Sequence, residues 1–253
     1  MHRFFADKAA VGGTVIELTN KDDIGHISRV LRLGPGDRIL VCDQEGWDYT
    51  CVLEEVGRQA VTARIEDRQK NTAEPALQIT LYQGVPKGGK LDVTVQKCIE
   101  LGVTRIVPVF MKRSVRADKG TFGKKADRLR AIAEAAAKQS GRGIIPAVEE
   151  AIGFSDMMEE AAGCPLVLFP YENEDGTTMR DALLQAREAG VFKEGTRTEL
   201  AVVIGPEGGF ADEEAEALKA LENCRCVSLG KRILRTETAG MAALAMILYE
   251  FEL

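Results

Sequence analysis

The sequence is short of histidine: of its 253 residues only His2 and His26 are of this type. That leaves too little material for a histidine-based zinc site or a Ser-His-Asp triad, and no G-x-S-x-G is present to hold an activated serine. No C-x-x-C occurs among the six cysteines, Cys42, Cys51, Cys98, Cys164, Cys224 and Cys226. They are scattered as small hydrophobes would be in a reducing compartment. Cys224 and Cys226 form C-x-C at a strand start, but metal sites call for more clustered ligands, so no metal is expected. No run is long and apolar enough to span a bilayer, and MHRFFADKAA lacks the apolar core and cleavage site of a signal peptide. A cytoplasmic protein away from membranes is expected. Internal repeats and low-complexity segments are also missing.

What is present is charge of uneven distribution. The whole chain is at −6. Between Lys112 and Arg142, however, ten cations (Lys112, Arg113, Arg116, Lys119, Lys124, Lys125, Arg128, Arg130, Lys138, Arg142) face three acids, Asp118, Asp127 and Glu134. A locally basic surface suits a polyanion, because counterion release acts at the contacted phosphates. The bland alternative is a solvated helix face; the acids inside the window are too few to pair most of these cations.

Residues 1–70 read as short strands (RFFA, TVIEL, DRILVCD, DYTCVLEEV, AVTARIED) broken by glycine turns, a pattern of a small β-barrel. DDIGHISRVLRL predicts one short helix burying Ile27, Val30 and Leu31. NTAEP at 71–75 reads as a linker. From Leu77, strands at LQITLYQGV, RIVPVF, PLVLFP, LAVVIG and CVSLG alternate with helices near 89–101, 124–140, 177–189, 212–222 and 236–250. That alternation means a parallel sheet covered on both faces, with ligands beyond the carboxyl ends of its strands. Asp212 stands before an amphipathic run with Glu213 and Glu214 in its first turn. In the last helix Met241, Leu244, Ala245 and Leu248 line one side while Ala239, Ala242, Ala243 and Met246 line the other, which predicts burial all round.

Two strand-end loops carry more polar and glycine content than a bend needs. GPEGGF at 205–210 lets a backbone approach a ligand and present N–H groups to it. It is neither G-x-G-x-x-G nor a G-K-[ST] phosphate loop. LGKRILR at 229–235 puts Lys231, Arg232 and Arg235 beside apolar Leu229, Ile233 and Leu234. If their strands are neighbours, the two loops make one pocket suited to an adenine and ribose. A third region, 128-RLRAIAEAAAKQSGR-142, sets Glu134 and Lys138 at i, i+4 and ends in Gln139, Ser140 and Arg142, as either a helix cap or a substrate-facing cluster.

GPEGG followed by LGKRILRTETA resembles the cofactor motifs of the SPOUT methyltransferases. With RFF at 3–5, HISRVLRLGPGD at 26–37, QKCIELGVTRIVP at 96–108 and EAAAKQSGR at 134–142, the set resembles the RsmE-type 16S rRNA (uridine-N3) methyltransferases along the whole chain. The resemblance implies an α/β SPOUT domain with a C-terminal trefoil knot over 73–253 and a PUA-like RNA-binding barrel over 1–72. It implies S-adenosylmethionine held by Leu168, Pro170, Ile204, Gly205, Pro206, Glu207, Gly208, Gly209, Leu229, Gly230, Ile233, Leu234, Arg235 and Thr236. It further implies a homodimer and, as partner, the 16S rRNA of the small ribosomal subunit. The segment YENEDGTT after PLVLFP departs from the pattern and leaves the first knot loop least defined.

The expected reaction moves a methyl group to uridine N3, with charge spreading onto O2 and O4 to be met by cations. Arg235 and Arg232 lead as catalytic candidates and Arg142 is third; Glu207 and Glu134 are carboxylates to weigh as a base. Arg3, Arg29, Arg32, Lys112, Arg113, Arg116, Lys124, Lys125 and Arg128 are the RNA-binding candidates. The rival readings are a ribose 2′-O-methyltransferase of the same superfamily and a non-catalytic RNA-binding protein.

Overall fold

The computed structural model of the chain describes residues 1–7, 10–114, 122–172, 174, 176–193 and 195–252. Contacts divide it into two units, one of residues 1–74 with 137–145 and one of residues 75–136 with 146–253. The chain therefore leaves the first unit at Glu74 and returns to it for nine residues.

The first unit is a six-stranded sheet of β1 (His2–Phe5), β2 (Val11–Gly12), β3 (Val15–Leu18), β4 (Arg38–Cys42), β5 (Trp47–Val56) and β6 (Val61–Lys70), in the order β1-β4-β5-β6-β3-β2. Pairing is antiparallel except between β1 and β4. Among the described residues the hydrogen-bonded path is open between β1 and β2. Period-2 alternation in the strands collects Phe4, Ile16, Ile39, Val41, Cys51, Leu53, Val61 and Ala63 into one core. Asn20 starts α1 (Lys21–Gly25) by accepting from the amides of Asp22 and Asp23. The turn then widens into a π-helical segment over His26–Val30. This wider winding shifts the phase of the expected helix. Ile24 and Ile27 are buried and Leu31 half-buried, whereas Val30, expected inside, is 66% exposed.

The second unit is an all-parallel sheet. Its strands are β7 (Gln78–Gly84), β8 (Arg105–Phe110), β9 (Ala147–Val148), β10 (Ile152–Gly153), β11 (Val167–Pro170), β12 (Glu199–Ile204) and β13 (Cys224–Val227), in the order β10-β8-β7-β12-β11-β13 with β9 also on β8. The central strands β8 and β12 are near-continuous apolar runs because both faces are covered, and β7 buries Ile79, Leu81 and Tyr82. The covering helices are α2 (Lys90–Glu100), α3 (Phe122–Ser140), α4 (Phe154–Ala162), α5 (Met179–Glu188), α6 (Asp212–Lys219) and α7 (Thr236–Glu252). α4 has no counterpart among the expected helices. α6 begins at Asp212 itself: the capping position is Ala211, whose N–H donates to Glu214 Oε2 at 2.9 Å.

α7 packs against α2, α5 and β12. Gly240, Ala243, Leu244, Ile247 and Leu248 form its buried side. Ala245, Met246 and Tyr249 are exposed, so within one chain the helix is buried on one side rather than all round.

Candidate active site

At the carboxyl ends of β11, β12 and β13 lies a cavity of about 470 Å³. This is where a parallel sheet leaves strand-end amides and loops open to a ligand. The two glycine-bearing loops meet here although the condition set for it, neighbouring strands, is not met: β11 lies between β12 and β13. Two features bring the loops together all the same. Pro170, Tyr171 and Glu172, leaving β11, fill the gap between them. The segment after β13 then runs from the edge strand back to the sheet centre, where Thr236 Oγ1 donates to Gly205 O at 2.6 Å.

Local chemistry explains each wall. Gly209 sits at φ +70°, closing a turn in which its N–H donates to Pro206 O at 3.0 Å. A side chain there would be strained and would meet Glu172 Oε1 at 3.5 Å. Phe210 packs edge-on to Phe169 at 4.8 Å, and Phe169 stacks on Tyr171 at 5.1 Å, which anchors the loop to the end of β11. Ser228 is tied to the loop after β11, its N–H donating to Thr177 O at 2.8 Å. Ile204, Leu229, Leu234 and Phe210 supply the apolar lining.

Of the expected cofactor residues, the cavity gathers Pro170, Ile204, Gly205, Pro206, Glu207, Gly209, Leu229, Gly230, Ile233, Leu234, Arg235 and Thr236. Leu168 lies elsewhere, fully buried within β11 between Val202 and Arg225. Gly208 does not line the cavity either; its carbonyl accepts from Arg113 Nη1 at 3.2 Å. Sequence reading missed Tyr171, Glu172, Phe210, Ser228 and Ala239. The first two fall in the segment that departs from the family pattern, and the others flank motif residues that were singled out.

Charge around the cavity is divided. Lys231, Arg232 and Arg235 line it, are exposed, and make no ion pair among the described residues. Glu207 is committed: it pairs with Lys90 at 3.0 Å and accepts from the Lys87 N–H. Burial pushes its carboxyl up, but Lys90 and the Lys87 amide outweigh this and hold it below the usual carboxylate range. It is a weak base.

Arg142 is not at the cavity. It is 2% exposed within the first unit, with its guanidinium held by both oxygens of Glu74 at 3.0 and 2.9 Å. Arg3 is partly buried and committed: it pairs with the buried Asp48 at 3.0 and 3.2 Å and donates to Arg142 O. Lys112 pairs with Glu213, Arg113 with Asp212, Arg128 with Asp92 and Arg130 with Asp127 and Glu150. Lys138 pairs with Asp23. With Arg142 on Glu74, six of the window's ten cations pair with carboxylates among the described residues, most of them from distant parts of the chain, against the expectation from counting within it. Arg29, Arg32 and Lys124 are exposed, and Lys125 lies over the Phe122 ring at 5.7 Å. Arg116 and Lys119 lie outside the described residues.

A parallel α/β sheet with a cavity walled by three strand-end loops is the arrangement of a ligand-binding α/β domain, and the comparisons with known proteins give its class, an RNA methyltransferase. The RNA methyltransferase domain family matches residues 73–248, and the RNA methyltransferase PUA domain family matches residues 18–66. The chain is 33% identical to ribosomal RNA small subunit methyltransferase E of Bacillus subtilis, over 92% of its own length and 89% of that protein. It is 28% identical to the protein of the same name from Aquifex aeolicus, over 98% and 99% of the two chains. Among solved structures, the ribosomal RNA small subunit methyltransferase E of Neisseria gonorrhoeae bound to S-adenosyl methionine superposes with a TM-score of 0.81 at 29% identity, covering 99% of this chain and 98% of that one. The chain belongs to the ribosomal RNA small subunit methyltransferase E family.

Proposed function

We propose that this protein uses S-adenosylmethionine to methylate N3 of a uridine in 16S rRNA of the small ribosomal subunit, in the cytoplasm, with the cofactor held in the strand-end cavity. The observation that carries the reading is the trio Lys231, Arg232 and Arg235, unpaired among the described residues, on the wall of a cavity that is otherwise amide, apolar and acidic. The residues fit the cofactor. Apolar Ile204, Leu229, Leu234 and Phe210 suit an adenine, and about 470 Å³ lies in the range of small-ligand sites. The carboxylate of Glu172, unpaired among the described residues, favours a ligand bearing positive charge.

When bound, the cofactor supplies an electrophilic methyl group. The chain's own part is to hold the base in line and to meet the charge that forms when N3 gives up its proton. Arg235 and Arg232 serve as that countercharge at O2 and O4, each guanidinium offering a fixed fork of donors. With Glu207 held by Lys90, proton release to water with arginine stabilisation fits the site better than abstraction by that carboxylate. Arg142 is not carried into this set. The passage of residues 229–235 from edge strand to sheet centre supports the trefoil knot that the family resemblance implies. The exposed Met246 and Tyr249 of α7 support a homodimer through that helix.

The test is product analysis. Small-subunit rRNA or particles treated with protein and labelled cofactor, then digested to nucleosides, are expected to yield 3-methyluridine. A 2′-O-methylated nucleoside, or no incorporation into any RNA form, would overturn the reading.

A further inference from the structure

Gln83, the penultimate residue of β7, is 0% exposed and does not line the cavity, yet it is polar. Its hydrogen bonds have only one consistent direction. Thr236 has a single hydroxyl proton, and the Gly205 carbonyl 2.6 Å away can only accept it. Gln83 must then donate to Thr236 Oγ1, which its Nε2 does at 2.8 Å, while the same nitrogen donates to Gly84 O at 3.1 Å. The amide oxygen is left without any hydrogen-bond partner. What the amide contributes at this position is its donors, not its oxygen.

The group at the far end of the relay is the peptide that opens the cavity loop. Gly205 precedes Pro206, which has no N–H, so this peptide can be held only through its carbonyl or by packing. Packing comes from Gly84, where a Cβ would fall 2.5 Å from Pro206 N. The carbonyl is held by Thr236, itself a lining residue and the first residue of α7.

We infer that Gln83 is a positioning residue for cofactor binding: by donating to Thr236 it turns the hydroxyl proton onto Gly205 O and so sets the Gly205–Pro206 peptide of the cavity wall. This rests on the cavity being the cofactor site.

The inference makes the direction of one proton the variable. In Gln83→Glu, an ionised carboxylate can only accept, so Thr236 turns its proton toward residue 83 and lets go of Gly205. A protonated carboxyl can donate again and restores the relay. Other ionisable groups near the relay are Glu237 on α7, Lys90 on α2 and Glu207 on the cavity loop, with Lys90 lying 4.0 Å from Glu237 and 3.0 Å from Glu207. Cys98 on α2 is also near, its thiol pushed up by burial to about 12 and neutral throughout. All are shared with the parent protein, so each pH is read as a ratio to it.

The experiment is calorimetric titration with S-adenosylhomocysteine from pH 7.5 to 5, each variant checked for folding by thermal melting. Gln83→Glu is expected to bind about tenfold more weakly than the parent at pH 7.5 and to converge on it as pH falls. Thr236→Ser should bind within about twofold of the parent and Thr236→Val about tenfold more weakly. Gln83→Met keeps the volume but offers no donor; it is expected to bind about tenfold more weakly at every pH, and it decides alone where Gln83→Glu fails to fold or stays protonated throughout. A tenfold deficit in Gln83→Glu that persists at pH 5, Gln83→Met binding like the parent, or Thr236→Val binding like Thr236→Ser would overturn the relay. Failure of the cavity reading is separate: the parent would not bind, or a Gly209→Trp block would leave its binding intact.

Discussion

Two sets of cations in this chain invite the same reading and have different surroundings. The window 112–142 is the most basic stretch of the sequence, yet Lys112, Arg113, Arg128, Arg130, Lys138 and Arg142 each find a carboxylate. Lys231, Arg232 and Arg235, three residues in a short loop, find none among the described residues. Density of charge along the chain is thus a poor guide to charge on offer. An ion pair needs two groups close in space, and in the window most partners lie far off in sequence. A cation left unpaired beside a cavity is the more informative observation, because its charge has not been neutralised before a ligand arrives.

The comparison can be broken at both ends. Arg142→Ala takes the paired guanidinium away from the largely buried Glu74, and should destabilise the protein by about 3–5 kcal/mol. Urea unfolding measures this, and a loss below 1 kcal/mol would show the pair to be dispensable. Arg235→Ala should do the reverse. Stability should stay within about 0.5 kcal/mol, because an exposed unpaired side chain is lost. Single-turnover methyl transfer should fall by about 10²-fold. Unchanged transfer would remove Arg235 from the mechanism. The smallest effect is expected for Arg128→Ala, whose side chain is 70% exposed in its pair with Asp92. Stability should change by about 0.2–1 kcal/mol and transfer by no more than about twofold. A large drop in transfer there would mean that Arg128 meets RNA in spite of Asp92.

Much of this was legible in the sequence, and what was not has a common cause. The alternation from Leu77 onward predicts a parallel sheet because strands buried on both faces are largely apolar, as β8 and β12 are. The two loops stand out because strand ends in such a sheet are where glycine and cations have a use beyond turning the chain. Strand order carries no local signal, so the insertion of β11 between β12 and β13 was invisible. The same holds for Arg3 and Arg142, whose partners Asp48 and Glu74 are 45 and 68 residues away. Gln83 lay inside a recognised strand, and nothing local distinguishes it. Its role shows only once Thr236, 153 residues later, is placed beside it.

The return of residues 137–145 to the first unit also has a consequence in time. Glu74 holds Arg142 and accepts from the amides of Gly143 and Ile144, so its partners are made 68 to 70 residues after it. At roughly 5–20 residues per second, a ribosome adds that stretch in about 3–14 seconds. For that interval the first strands exist without the segment that completes their unit. The N-terminal unit is begun first, yet it is completed only after the second unit is well under way.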